Sequence, residues 1–169
     1  MNYLPQFFPS LWLHDNEVYG IPFTEEISIG FVNREKGGYT YLLKEEFENL
    51  NIESKDLLFS AIKNLENEFE NCDIKEFKIK GGILVSWNSE NDNFSAIRIL
   101  SKKYRNELNK IFKDDFNFSI SDRDLISCWQ TTDIDENEKF KNEAIEDYNE
   151  SEYWLSNKIY KFSDIKLVI

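Results

Sequence analysis

Histidine occurs once in this chain, at His14, and cysteine twice, at Cys72 and Cys128. These shortages exclude more than they reveal. One histidine and two distant cysteines cannot supply the ligand spacing of a zinc site, so no metal centre is expected. Nor do they form a disulfide framework; Cys128, within the apolar run 125–129, reads as a small core residue. His14 is followed by Asp15, but no nucleophile stands at a recognisable spacing from that pair, and no catalytic residue is assigned. P-loop, GxGxxG, GxSxG and kinase signatures are all missing, and no cofactor is expected. The loop Asn88-Ser89-Glu90-Asn91-Asp92-Asn93 is rich in oxygen side chains. It lacks the glycine and closing glutamate of a calcium loop, and reads as a turn capping the next helix.

Long apolar runs are missing too. None approaches the roughly 20 residues needed to span a bilayer, and the opening MNYLPQFFPSLWLHD has no basic region to start a leader peptide. A cytoplasmic location is expected. Basic residues are scarce relative to acidic ones, 20 against 32, which leaves a net charge of −12. Such a surface repels phosphate backbones and anionic membranes, so neither nucleic acid nor membrane is an expected partner. It suits a basic protein partner, and it also favours solubility.

What is present is a core. Aromatic residues make up 15% of the 169 residues and hydrophobic residues 41%, enough for one domain without disulfide or metal. Residues 1–25 are apolar but broken by Pro5, Pro9, Gly20 and Pro22, and read as an irregular segment packed on the core, with a short helix or edge strand within it. Residues 26–169 read as a single α+β domain. Ile27, Ile29 and Phe31 alternate with small residues, and after the Gly37-Gly38 turn Tyr39, Tyr41 and Leu43 alternate again. The same grammar recurs at Phe77 and Ile79 with Ile83, Val85 and Trp87 around Gly81-Gly82. It recurs at Phe116, Phe118 and Ile120 with the run 125–129, and a closing hairpin is predicted around Ser163-Asp164.

Between the hairpins the period changes to that of a helix. A short helix over 44–50 precedes one capped by Ser54, with Leu57, Leu58, Ala61, Ile62, Leu65 and Phe69 in one stripe. A second main helix is predicted over 94–112, on Ile97, Leu100, Tyr104, Leu108, Ile111 and Phe112. A third covers 135–150 and buries Phe140, Ala144, Ile145 and Tyr148. The expected fold is therefore an antiparallel sheet of successive hairpins alternating with three main amphipathic helices packed on it.

Two charged constellations stand out. Glu136, Glu143, Glu146, Asp147 and Glu150 make the third helix acidic, a solvated face or a docking surface for a basic partner. Arg98, Lys102 and Arg105 fall at i, i+4 and i+7 beside the apolar face of the second helix, and Arg123 sits in the tight turn Ser121-Asp122-Arg123-Asp124. An arginine laid over a carboxylate would lock that turn; alternatively Arg98 and Arg123 could hold a small anion.

Several segments resemble, in order and spacing, the YtpQ-like family of bacterial proteins of unknown function. They are Ile29-Gly30-Phe31-Val32-Asn33 with Tyr39-Thr40-Tyr41-Leu42, then Asn93-Phe94-Ser95-Ala96-Ile97-Arg98-Ile99-Leu100, Ser121-Asp122-Arg123-Asp124-Leu125-Ile126 and Leu155-Ser156-Asn157-Lys158-Ile159-Tyr160. Asn93 stands where that family carries an acidic residue. The resemblance implies a shared domain from about residue 26 onward and supplies no reaction, but it draws attention to Ser95, Arg98, Arg123 and Asp124. The reading that results is a non-enzymatic binding or regulatory module, in one version an immunity-type neutraliser of a basic protein. The alternative is a small-ligand-binding or hydrolase-like domain with its site near Arg98 and Arg123. A third reading, a subunit of a larger assembly, expects an exposed patch from Phe7, Phe8 and Trp12.

Overall fold

The computed structural model describes residues 2–36, 38–69, 74–87 and 92–165. The chain opens with strand β1 (Tyr3–Pro9), helix α1 (Ser10–Asp15) and the short strand β2 (Gly20–Pro22). Strands β3 (Ile27–Glu35) and β4 (Gly38–Tyr41) follow, then helices α2 (Lys44–Leu50) and α3 (Ser54–Glu68). Next come β5 (Lys75–Ile79), β6 (Gly82–Trp87), a 3-10 turn over Ala96–Leu100 and α4 (Lys102–Ile111). Strands β7 (Asn117–Asp122) and β8 (Leu125–Thr131), helix α5 (Ile134–Glu150), strand β9 (Ile159–Lys161) and a 3-10 turn over Phe162–Asp164 complete it.

The fold is α+β, with antiparallel hairpins and helices packed against them. The strands form two sheets. In the first, β3 pairs with β1 on one side and with β2 and β4 on the other; the second runs β5-β6-β8-β7-β9. Helix α3 packs on β1 through Leu57, Leu58, Ala61, Ile62 and Leu65, all buried. One apolar cluster joins β1, β3 and α3 to β6, α4, β7 and β8. Trp129, Phe140 and Ala144 are buried outside that cluster, where α5 covers β7 and β8. There the Trp129 indole donates to Asn137 Oδ1 at 2.9 Å, so its polar edge is satisfied where its ring is buried. No helix among the described residues is long and apolar enough to cross a membrane.

Several expectations need adjustment. Residues 1–25 are more regular than expected: they hold both an edge strand, β1, which pairs along its whole length with β3, and a short helix, α1, with β2 after it. Phe7 and Phe8 are core residues, each 1% exposed, so of the predicted patch only Trp12 reaches solvent. Next, the helix predicted over 94–112 is two pieces. Ser101 has an extended backbone (φ −67°, ψ 133°) and caps α4 by accepting from Lys103 N–H, which ends the 3-10 turn before it. Arg98, Lys102 and Arg105 therefore do not lie on one continuous helix. Ser163 and Asp164 lie in a 3-10 turn and β9 pairs with β7; the far arm of the predicted closing hairpin, 166–169, lies outside the described residues. Finally, Ile145 points outward and is 41% exposed.

Elsewhere the local chemistry matches the pattern. Gly81 turns the β5–β6 hairpin with φ +71°, a left-handed value that glycine adopts at little cost. Gly30 lets β3 bury both faces, since a Cβ there would lie 2.7 Å from the Phe8 ring. Gly37, Cys72 and 88–91 fall outside the described residues. Cys128 is a buried free thiol, and burial pushes its ionisation well above the ordinary thiol range.

Candidate functional site

The β7–β8 turn is built by its own aspartates. Asp122 pairs with Leu125 across the turn, and Asp122 Oδ1 accepts from the Asp124 backbone N–H at 2.6 Å. The predicted arginine lock is not what holds it. Among the described residues Arg123 makes no ion pair; its guanidinium lies 4.4 Å from the Tyr153 ring centroid and 5.4 Å from that of Phe8. Burial lowers the Arg123 pKa, opposed by Tyr41, Tyr153, Asp122 and Asp124.

Two further segments are tied to this turn. From one side comes the stretch before the first 3-10 turn: Ala96 N–H donates to the Arg123 carbonyl at 2.9 Å, and Phe94 N–H donates to Asp92 Oδ1 at 2.7 Å. From the other side comes the chain leaving α5. Ser151 Oγ donates to Asp122 Oδ2, Asp122 bridges to Trp154, and Leu155 N–H donates to the Ser121 carbonyl at 2.9 Å. The last turn of α5 is thereby pinned beside the hairpin tip.

The result is a cleft of about 570 Å³ lined by Asp122, Asp124, Asp147, Glu150 and Glu152, with Tyr153 at its side. Among the described residues no lysine or arginine lines it, and Arg123 lies beside it over the Tyr153 ring. None of the five carboxylates makes an ion pair among the described residues. Desolvation raises the Asp124 carboxyl to about 6, reinforced by Asp92 and Asp122 and opposed by the backbone N–H groups of Ser95 and Asn93. Its Oδ1 is buried with no hydrogen-bond partner among the described residues. The Asp147 carboxyl is raised as well, first by desolvation, then by Glu143, Glu150, Glu146 and Asp122. Carboxylates that make no ion pair among the described residues can attract a cation or hold a proton near neutral pH. No group of acidic, histidine or cysteine side chains among the described residues has the arrangement to hold a metal ion.

The residues singled out in the sequence separate into three sets. Asp122 and Asp124 from the turn meet Asp147 and Glu150 from the acidic helix in this one cleft. Ser95 and Arg98 lie behind it, buried: the Ser95 carbonyl accepts from the Trp87 indole at 2.7 Å. The Arg98 guanidinium is paired with Asp92 and lies 4.2 Å from the Phe69 ring centroid. Glu136, Glu143 and Glu146 are spread along α5; Glu136 and Glu143 flank Lys139 at 3.9 and 3.7 Å.

Sequence reasoning missed Ser151 and Tyr153, whose only signal was their position just after an acidic helix. It read Asp92 as a turn residue, and its bond to Phe94 N–H fits that reading, but nothing in the spacing announced its pairing with Arg98. Compared with protein-family models, curated proteins and solved structures, the chain matches none of them.

Proposed function

We propose that this protein is a non-enzymatic binding or regulatory module of the cytoplasm, whose acidic cleft receives cationic side chains of a basic protein partner. An immunity-type role, in which the module covers the basic surface of an effector, is the specific form of this reading. One observation carries it: five carboxylates converge on one cleft that no basic residue lines among the described residues, with the Asp124 carboxyl raised to about 6, first by desolvation and then by Asp92 and Asp122. A lysine or arginine entering the cleft would relieve that repulsion and meet preformed acceptors. Kinship with the YtpQ-like family is proposed alongside it. In support, two of the motif segments, 93–100 and 155–160, each hydrogen-bond through Ala96 and Leu155 to a third, 121–126.

The alternative, a small-ligand or hydrolase-like site on Arg98 and Arg123, draws less support because Arg98 is 5% exposed and already paired with Asp92. The test is calorimetric titration with a lysine pentapeptide at low and moderate salt, on the natural chain and on Asp147→Asn/Glu150→Gln. Binding should weaken at least tenfold in the double variant and fall as pH drops through about 6, because protonating Asp124 removes an acceptor charge. Equal affinity in both proteins would remove the cleft as the binding site.

A further inference from the structure

Beside the acidic cleft lies a groove of about 580 Å³ whose walls are aromatic. Trp12 on α1 forms one wall, stacked on Phe8 at 5.2 Å between centroids. Trp154 forms the other, held edge-on by Tyr148 at 5.6 Å and tied to Asp122 through the backbone bridge. Leu11 projects at the rim. The exposures are unequal in an informative way: Trp87 and Trp129 are at most 1% exposed, whereas Trp12 is 36%, Trp154 48% and Leu11 71% exposed. Three large apolar side chains thus face one groove, held in place by ring packing and backbone bonds instead of folding away.

The groove and the cleft share a wall. Tyr148 follows Asp147 on α5, and Trp154 follows Tyr153; the first of each pair lines one depression and the second the other. The groove also has an acidic rim of Asp15, Glu25 and Glu26, with Lys158 lying 3.0 and 2.9 Å from the two glutamates. We infer that this groove seats a bulky apolar side chain of the same basic partner segment whose cationic side chains enter the cleft. The inference rests on the proposed cleft function and adds to it the feature that confers specificity. Charge complementarity selects the occupant: a second copy of a chain carrying −12 would bring like charge to the acidic rim, whereas a cationic segment is drawn to both depressions. An anionic lipid surface is repelled for the same reason.

Two amidated, acetylated pentapeptides test this, Lys-Lys-Phe-Lys-Lys and Lys-Lys-Ser-Lys-Lys, titrated into the full chain by calorimetry and tryptophan fluorescence. The phenylalanine peptide should bind at least tenfold more tightly, the scale expected for burying one large apolar side chain. It should also shift the emission of the exposed indoles. The preference should vanish in Trp12→Ala and in Trp154→Ala. It should also vanish in Leu11→Lys, a change at an exposed position that leaves the core untouched. Glu150→Gln should weaken both peptides alike and keep their ratio. If both peptides bind the natural chain equally, the groove inference falls while the cleft reading stands; if neither binds, both fall. Concentration-dependent dimerisation of the free chain that Leu11→Lys abolishes would also overturn it, by showing the groove to be filled by a second copy.

Discussion

Replacing Asp124 with asparagine separates a carboxylate retained for charge from one retained for structure. In the folded chain this carboxyl ionises near 6, against about 4 for an ordinary aspartate. The folded state therefore binds more protons than the unfolded state between those values, so the group's contribution to stability falls as pH rises from about 4 to about 6. Two pH units correspond to about 3 kcal/mol if fully expressed, and a partly solvated group delivers roughly half of that after screening. Asparagine keeps a carbonyl acceptor for the Ser95 and Asn93 N–H groups and removes the negative charge that Asp92 and Asp122 repel.

The expected outcome is asymmetric. Asp124→Asn should be more stable than the natural chain by about 1–2 kcal/mol at pH 7.5, a rise of a few degrees in Tm for a chain of this size, and nearly equal to it at pH 4. Thermal unfolding followed by circular dichroism at the two pH values measures both differences. The same variant should bind cationic peptides more weakly at pH 7.5, a gain in stability coupled to a loss of function. Equal destabilisation at both pH values would refute the reasoning, because the carboxylate would then matter for its contacts and not for its unrelieved charge.

Two structural substitutions probe the scaffold behind the cleft. Asp92→Ala strips the buried Arg98 guanidinium of its carboxylate, leaving among the described residues Tyr104 Oη at 3.5 Å and the Phe69 ring, and should cost about 3–5 kcal/mol in urea unfolding; a loss below about 1 kcal/mol would mean that the pair contributes little. Gly82→Ala would set a Cβ 1.8 Å from the Gln130 carbonyl oxygen in the neighbouring strand, and should cost about 3 kcal/mol or prevent folding, whereas alanine at the unobstructed Gly38 should unfold within about 1 kcal/mol of the natural chain.

The hairpins and α2 and α3 were legible because their periodicities, two and 3.6, ran uninterrupted between turn residues. The strand β1 was not, because Pro5 and Pro9 read as breaks. The structure tolerates them since β1 is an edge strand with β3 as its single partner, and a proline missing its N–H costs least there. The break at Ser101 was hidden for the opposite reason. Ile97, Leu100, Tyr104 and Leu108 keep helical spacing straight through it, and the capping bond from Lys103 N–H decides the matter locally. At the site, the tight turn made Asp122 and Asp124 conspicuous, and the acidic helix did the same for Asp147 and Glu150. Their meeting was illegible because it depends on contacts between segments about 30 positions apart, the Ser151 hydroxyl reaching Asp122, the Asp122–Trp154 bridge and the bond from Leu155 N–H to the Ser121 carbonyl.

An excess of acids over bases must leave some carboxylates without partners, and on that ground alone the cleft could be incidental. The distribution of the pairs argues otherwise. Lysines are found beside Glu25 and Glu26, Glu107, Asp133 and Glu138, all at the surface, where ion pairs contribute little. A chain selected for solubility alone could spread its remaining negative charge over the same surface at no cost. Here it is gathered instead where backbone bonds from three segments prevent the carboxylates from moving apart, and where burial, reinforced by Asp92 and Asp122, pushes Asp124 up to about 6. Concentrating like charge on a rigid frame lowers stability without improving solubility. Its return comes only when a cation enters, which is why the repulsion within the cleft, more than the total of −12, is the physical argument for a basic partner.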